Sequence, residues 1–498
     1  MKRLLVLFLA AVFLSGCMGN TPSGKVKRSD DERYTPKYGG TLKIYSYNPD
    51  TFNPLYTRNK ANAQMLMLIY DTLIKCDESQ MVHPVLASDY SVSDDGLVWT
   101  VMIKNGVLWH DGTPFTAEDA AATLIAVKES PHKSPYAPAL YNAGKIEATG
   151  DSVIITLKEP QTNFINLLEI PMVKKSDTAV YDNFKPLGTG QYVFTEKTHK
   201  KIYLTSNKGW WKGADPFIEN VEVLLLPDKE TSVYAFEARE IDVVTTDLLN
   251  WREFSGSSEI KSAEYSSGSY NFLAFNLENR FLSNPDIRKA VAHAIDKSRI
   301  FKEVLLSHGS LTDTFLNPKW WVYNDDAIKY AYDPGLSVDI IKQQNLSPKD
   351  ITLELLVNND NEMKLSVAEI IKQELEEIGI AVRVSAVEWQ TFVSRANSGA
   401  YDMYLGEINY STEINPKYVL RGNPQFEPLL SLLQLQTTDS GRKDIYNKLQ
   451  QEYAQLLPDI PLYFDVEALL YNSKILGDIS PLRTNMFNDV HKWFIEYE

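Results

Sequence analysis

The stretch "GVLWHDGTPFTAEDA", residues 106–120, sets His110 beside Asp111, with a second carboxylate at Asp119. An imidazole oriented by a carboxylate can act as a general base or hold a metal ion, which is hydrolase apparatus. Such chemistry needs partners elsewhere in the chain. The other six histidines, His83, His132, His199, His293, His308 and His491, include no pair spaced for a local zinc motif. No G-x-S-x-G elbow or phosphate-binding G-x-x-x-x-G-K-S/T loop is present, and "GTGQYV" from Gly188 lacks the third glycine of a dinucleotide fingerprint.

The elements around His110 claim its carboxylates for structure. Thr116 and Asp119 form a T-x-x-D pattern ahead of the apolar run "AAATLIAV", so Asp119 is expected to satisfy backbone donors at a helix start. Asp111-Gly112-Thr113-Pro114 reads as a turn leaving the strand that carries Trp109. With both partners assigned to backbone roles, catalysis by His110 is not expected, and no catalytic residue, metal site or cofactor is assigned.

Apolar alternation predicts strands at 41–46, 99–103, 153–157, 220–226, 353–357 and 381–387, and Thr149-Gly150-Asp151 reads as a hairpin tip. In the run 351–387, Met363, Val367, Ile370, Ile371, Leu375 and Ile378 share one helical face, and Gly379 stands at the C-terminal stop. Strand, helix and strand of these lengths make a βαβ crossover and a partly parallel sheet. A second helix is signalled by Asn284, Pro285 and Asp286, with Ile287, Val291, Ala294 and Ile295 as its buried stripe and His293 beside it.

A chain of 498 residues exceeds a single core, and 44% hydrophobic with 23% charged residues is an ordinary globular composition. The net charge of −15 argues against nucleic acid, which needs a basic surface. Lys2, Arg3 and the apolar run 4–14 form a signal peptide too short to span a bilayer. The following Leu14-Ser15-Gly16-Cys17 resembles a bacterial lipobox, which implies cleavage after residue 16 and lipidation of Cys17. Residues 17–37 then make a polar, flexible tether. Cys76 remains as the second cysteine, expected to be a small buried hydrophobe. The pairs Trp210-Trp211 and Trp320-Trp321 are expected to pack rather than to stack on ligand.

The segment "HPVLASDYSVSDDGLVWTVMIKNGVLWHDGTPFTAEDA" resembles the signature region of the extracellular solute-binding proteins of oligopeptide and dipeptide ABC importers, family 5. "YDTLIK", "PLGTGQYVF", "NKGWWKGADPFIENVEVLLLPD" and "FNLENRFLSNPDIRKAVAHAID" match in order. The resemblance implies an α/β, class II periplasmic-binding-protein-like fold of two lobes and a hinge, plus an extra α/β domain. By that analogy lobe I covers 38–70, 187–271 and 464–498, the added domain 71–186, and lobe II 272–463. The chain would cross the hinge near Asn271–Asn276 and return near Pro461–Asp465.

Carried over position by position, the resemblance puts a lobe I contact strand at Arg58, Asn59 and Lys60 and a pocket tyrosine at Tyr136. In lobe II it puts an aromatic wall at Trp389 and a second contact strand at Glu407, Ile408, Asn409 and Tyr410. Two departures stand out. Where relatives carry an aspartate for the peptide ammonium, this chain has Ser411; Glu413 either substitutes for it or is an exposed charge. Where oligopeptide binders carry an acid, this chain has Arg58, either a surface residue or a contact that shifts the pocket towards carboxylate-bearing ligands. The implied function is capture of a peptide or peptide-like solute for an ABC permease by a monomeric, lipid-anchored receptor on the outer face of the cell membrane. A sensory or adhesive lipoprotein and a nickel-chelate receptor are the alternatives.

Overall fold

The computed structural model describes residues 35–179, 184–246, 254, 256–420 and 423–496. The signal peptide, Cys17 and the tether up to residue 34 lie outside the described residues.

Three sheets organise the chain. The first has four strands in the order Thr41–Tyr47, Asn220–Leu226, Lys201–Ser206 and Tyr192–Lys197, the first pair parallel and the rest antiparallel. The second is a fully antiparallel sheet of two adjacent hairpins, in the order Ala87–Val92, Val98–Ile103, Ser152–Leu157 and Ala143–Thr149. The second hairpin turns on Gly150 and Asp151, between the paired residues Thr149 and Ser152. Gly150 has φ of 57°, the left-handed backbone that such a tight turn demands.

The third sheet has seven strands and holds the molecule together. Its centre is the 16-residue strand Ile260–Phe275 paired antiparallel with the 14-residue strand Asp459–Asn472. On one flank Val243–Thr246 pairs with the second of these; on the other Met403–Asn409 pairs with the first, followed by Thr352–Asn358 and Ala381–Val387. The expected crossover is present: Thr352–Asn358 and Ala381–Val387 pair in parallel, joined by the helix Glu362–Glu377. Gly379 stands just past that helix with φ of 98°.

The ends of the two central strands lie in different cores: Leu469 packs with the first sheet, and Leu273, Phe275, Ile460 and Leu462 pack with Leu355 and Ile371. Their ladder is irregular between Ser266 and Tyr270 and again at Asn271/Phe272, with Gly268 at φ of 85° inside the first break. A side chain at position 268 would collide with the Arg483 guanidinium at 2.3 Å. These breaks start a few residues before the stretch Asn271–Asn276 named as the hinge from sequence.

Burial sorts differently from the sheets. Leu42 and Ile44 of the first sheet, Trp99 and Val153 of the second, and Trp493 further along the chain form one continuous core. The second sheet therefore shares its interior with the first and has no separate core. Two further cores fill residues 270–464, one around Leu355 and Ile371, the other around Trp320, Tyr446 and Phe464.

Candidate ligand-binding clefts

The strand Met403–Asn409 is bonded along its whole length to residues 269–275, but on its other side only Met403 and Tyr404 pair with the neighbouring Thr352–Asn358. Among the described strands, residues 405–409 thus have one unpaired edge. A cavity of about 610 Å³ runs along it, lined by Trp389, Phe392, Tyr404, Glu407, Ile408 and Asn409 among others. Trp389 is half exposed at 51% and stacks on Phe392 with ring centroids 5.7 Å apart and planes 16° off parallel. Lys364 Nζ donates to Glu407 at 2.9 Å, so the strand's carboxylate is paired rather than free. Gly406 admits no side chain, because a Cβ there would meet the Phe272 ring at 2.4 Å.

A second, larger cleft of about 1410 Å³ opens where residues 135–169 face residues 411–435. Tyr136, Tyr141 and Leu167 line one wall; Ser411, Glu413 and Tyr418 line the other. Tyr141 and Tyr418 are exposed at 79% and 59%, unusual for large aromatic side chains and suited to covering a ligand. Acidic groups outnumber basic ones in the lining: Glu159, Glu169, Glu413 and Glu427 against Lys158 and Lys417. One basic group is already engaged, since Lys158 Nζ donates to the Tyr141 carbonyl at 2.7 Å.

Polar contacts close one rim of this cleft. Gln161 Nε2 donates to Glu413 Oε1 at 2.8 Å, and Asn163 Nδ2 donates to the Ile414 carbonyl at 3.0 Å and to Tyr446 Oη at 3.1 Å. Arg442 Nη1 donates to Asn163 Oδ1 at 2.7 Å. Burial raises the Glu413 carboxyl above its usual range, opposed by hydrogen bonds from Gln161 and Asn415.

A two-part architecture with an interlobe cleft matches a known group of receptors. Residues 81–423 match the family model described as bacterial extracellular solute-binding proteins, family 5 middle. The chain belongs to this family. Among curated relatives, the oligopeptide-binding protein AppA of Bacillus subtilis is 24% identical, with 99% of this chain and 98% of AppA covered. Among solved structures, the substrate-binding protein CtaP of Listeria monocytogenes superposes with a TM-score of 0.74 at 21% identity, covering 93% of this chain and 100% of CtaP. The periplasmic murein tripeptide-binding protein MppA, in an unliganded open form, gives 0.82 at 17% identity over 93% of this chain and 98% of MppA.

The family 5 fold distributes the sequence-derived candidates unevenly. Trp389, Glu407, Ile408 and Asn409 line the smaller cavity together, and Tyr136 and Glu413 line the larger one. Arg58, Asn59, Lys60 and Tyr410 line neither. The expected strand at 58–60 is instead the start of the helix Lys60–Leu66: Asn59 Oδ1 accepts from Asn62 N at 3.1 Å as its N-cap. Arg58 Nη2 donates to the His132 carbonyl at 2.5 Å, and Lys60 Nζ reaches Glu467 at 3.1 Å. Tyr410 is a core residue, its hydroxyl donating to the Phe315 carbonyl at 2.7 Å and its ring set edge-on to Trp320. Glu413 is buried, so the exposed-charge reading is corrected.

His110 is tied into the backbone. Its Nδ1 accepts from Gly188 N at 3.3 Å and its Nε2 lies 3.0 Å from the Gly190 carbonyl, a pair satisfied by one neutral tautomer. Burial lowers its pKa, which favours that neutral ring. Asp119 completes the capping box with Thr116, and Asp111 pairs with Lys174 at 2.6 Å. Trp210 is buried edge-on to His491, and Trp211 Nε1 donates to Asp71 at 2.9 Å.

Sequence reasoning overlooked Glu169, Tyr141, Tyr418 and Arg483. Glu169 did leave a trace, as the one charged residue within the apolar run Phe164–Val173. Arg483 left none, because its role depends on contacts 216 and 73 positions away, with the carbonyls of Ser267 and Tyr410.

Proposed function

We propose that this chain is the substrate-binding component of an ABC importer, and that it encloses a peptide or peptide-like solute between its two halves and delivers it to a permease. The unpaired edge at 405–409 beside Trp389 carries this reading. An extended ligand main chain can add to such an edge as a further strand while side chains enter flanking pockets. The neighbouring cleft, at about 1410 Å³, exceeds the roughly 300–1,000 Å³ of small-molecule sites and has room for several residues. Relatives named as oligopeptide-, dipeptide- and di/tripeptide-binding proteins support the same class of ligand. The backbone of Glu407 and Asn409 then bonds ligand main chain, Ile408 and Trp389 pack against side chains, and Tyr136 and Glu413 line the second pocket. The ligand is bound and released unchanged.

The mature chain would begin at a lipid-bearing Cys17, and residues 17–37 would hold the receptor near its permease, raising the local concentration of loaded protein. Among the described residues no helix is long and apolar enough to cross a membrane. The deciding experiment is native mass spectrometry of protein purified from its own cells. Release of peptides supports the reading, and loss of that cargo in an Asn409→Pro variant that remains folded assigns it to the strand edge, since the backbone of residues 405, 407 and 409 faces outward while that of Ile408 and Tyr410 bonds the neighbouring strand. Cargo with no amide backbone would replace the peptide reading with another solute.

A further inference from the structure

Asn105-Gly106 is the one Asn-Gly pair in the chain, and it forms an exposed turn between the strand Val98–Ile103 and the buried Val107 and Trp109. Gly106 has φ of 81°, and a Cβ built there would meet nothing within 4 Å, so the turn stands in open space. The chain is anchored on either side, with Lys104 N donating to the Leu86 carbonyl at 2.8 Å and Phe115 N to the Val107 carbonyl at 2.9 Å. Between those anchors, among the described residues, neither the Asn105 carboxamide nor the Gly106 N–H has a hydrogen-bond partner. That freedom sets the pair apart from its chemical analogues. At Asp95-Gly96 the glycine N–H donates to the Ser93 carbonyl at 2.8 Å, and at Asp111-Gly112 to the Trp109 carbonyl at 2.8 Å. At Asn472-Ser473 the serine N–H donates to the Glu259 carbonyl at 2.8 Å, and Asn397-Ser398 lies inside the helix Trp389–Ser398. In each of these the nitrogen that could attack the preceding side chain is already held.

We propose that Asn105 is a site of spontaneous deamidation, which gives the folded protein a slow, one-way change of charge with age. The Gly106 nitrogen bonds to Asn105 Cγ as the Cγ–Nδ2 bond breaks. Ammonia leaves with the proton that Gly106 N gives up, and a cyclic succinimide remains. No side chain on Gly106 obstructs that ring closure. Solvent water then adds to either ring carbonyl. Opening at Cγ leaves aspartate, and opening at the main-chain carbonyl leaves isoaspartate, in which the backbone runs through Cβ and Cγ. Either way the sum is one water consumed and one ammonia released, with a carboxyl at position 105 where an amide stood. Residues 105 and 106 line neither cleft, so ligand affinity is expected to survive the change.

The test holds full-length protein folded in mildly alkaline buffer, samples it over time, digests each sample in acid and maps the peptides by mass spectrometry. Isoaspartate is scored separately, by methyl transfer from an isoaspartyl methyltransferase. Conversion at Asn105 is expected to outpace every other asparagine by about tenfold or more, the rate ratio that follows when the attacking amide has no hydrogen bond to break. Asn105→Gln, an exposed substitution whose side chain would have to close a larger ring, should abolish the signal at that position. In denaturant, where Gly96 and Gly112 lose their carbonyl partners, isoaspartate should appear at positions 95 and 111 as well. Folded protein that keeps its Asn105 amide, that deamidates faster elsewhere, or that forms isoaspartate at 95 or 111 as fast as at 105 overturns the proposal.

Discussion

At the scale of single residues, the side chains that most resemble catalytic groups are structural, and the groups facing the clefts drew little notice in the sequence. His110 supports the approach of residues 188–192 to residues 68–69. At that approach Gly188 is irreplaceable, since a Cβ there would lie 1.8 Å from the Ile69 carbonyl oxygen. His110→Ala is expected to cost about 1–3 kcal/mol by stranding the Gly188 backbone N–H, while the Gly190 carbonyl keeps the Asn207 amide at 3.0 Å. Calorimetry should show the lowered Tm while ligand affinity stays unchanged. Trp389→Ala should behave in the opposite way. Half exposed, Trp389 contributes little to the fold, and its loss should weaken ligand binding by about tenfold or more with Tm nearly constant. Trp389 was legible only through resemblance, because nothing in "VEWQTF" separates a cleft aromatic from a core one. Tyr410, carried over by the same route, turned out to be core.

At the scale of elements, local pattern was informative wherever local physics decides the outcome. The strands Asn220–Leu226 and Ala381–Val387 coincide with their alternation, and the caps Asn284 and Thr116 stand where side-chain chemistry demands them. The long strands Ile260–Phe275 and Asp459–Asn472 were not legible, because their partners lie some two hundred positions away and Gly268 breaks the pattern between them. Residues 58–60 failed for a related reason: inherited strand character lost to an asparagine cap two residues before a buried helix face. Arg288 shows how a distant element is secured. Fully buried, it donates to the carbonyls of Leu456 and Leu457, at the end of the helix Asp439–Leu456, and to those of Leu282 and Ser283. Arg288→Met should therefore destabilise the protein by about 3–5 kcal/mol, read as a drop in the denaturant midpoint, because several buried acceptors lose their donor at once.

For the whole molecule, charge and burial set a pH dependence with a definite sign. Burial pushes Glu169 and Glu374 up to about 7 and Asp459 and Asp465 up to about 6. Each binds its proton more tightly in the fold than in the unfolded chain, where carboxyls titrate near ~4. The resulting stabilisation is complete below the unfolded values and is lost as pH rises through about 6 to 7. The Tm of ligand-free protein should therefore fall from about pH 5 to about pH 8, and Glu169→Gln should flatten that fall. The rim contacts of Asn163 are a second whole-molecule feature. If they favour closure, Asn163→Ala should raise the radius of gyration of ligand-free protein in small-angle scattering. An unchanged radius would show that they merely fill an interface. None of this was legible in the sequence, since each contact joins residues more than 250 positions apart.

Cys76 is buried at 3%, and among the described residues it is the free thiol. A mature chain lacking position 17 would consequently present no reactive sulfur to a maleimide dye. Tyr141→Cys and Tyr418→Cys would then be the sole attachment points, one on each wall of the large cleft. The receptor thus offers a near-ready scaffold for a fluorescent sensor in which energy transfer between the two dyes reports occupancy directly.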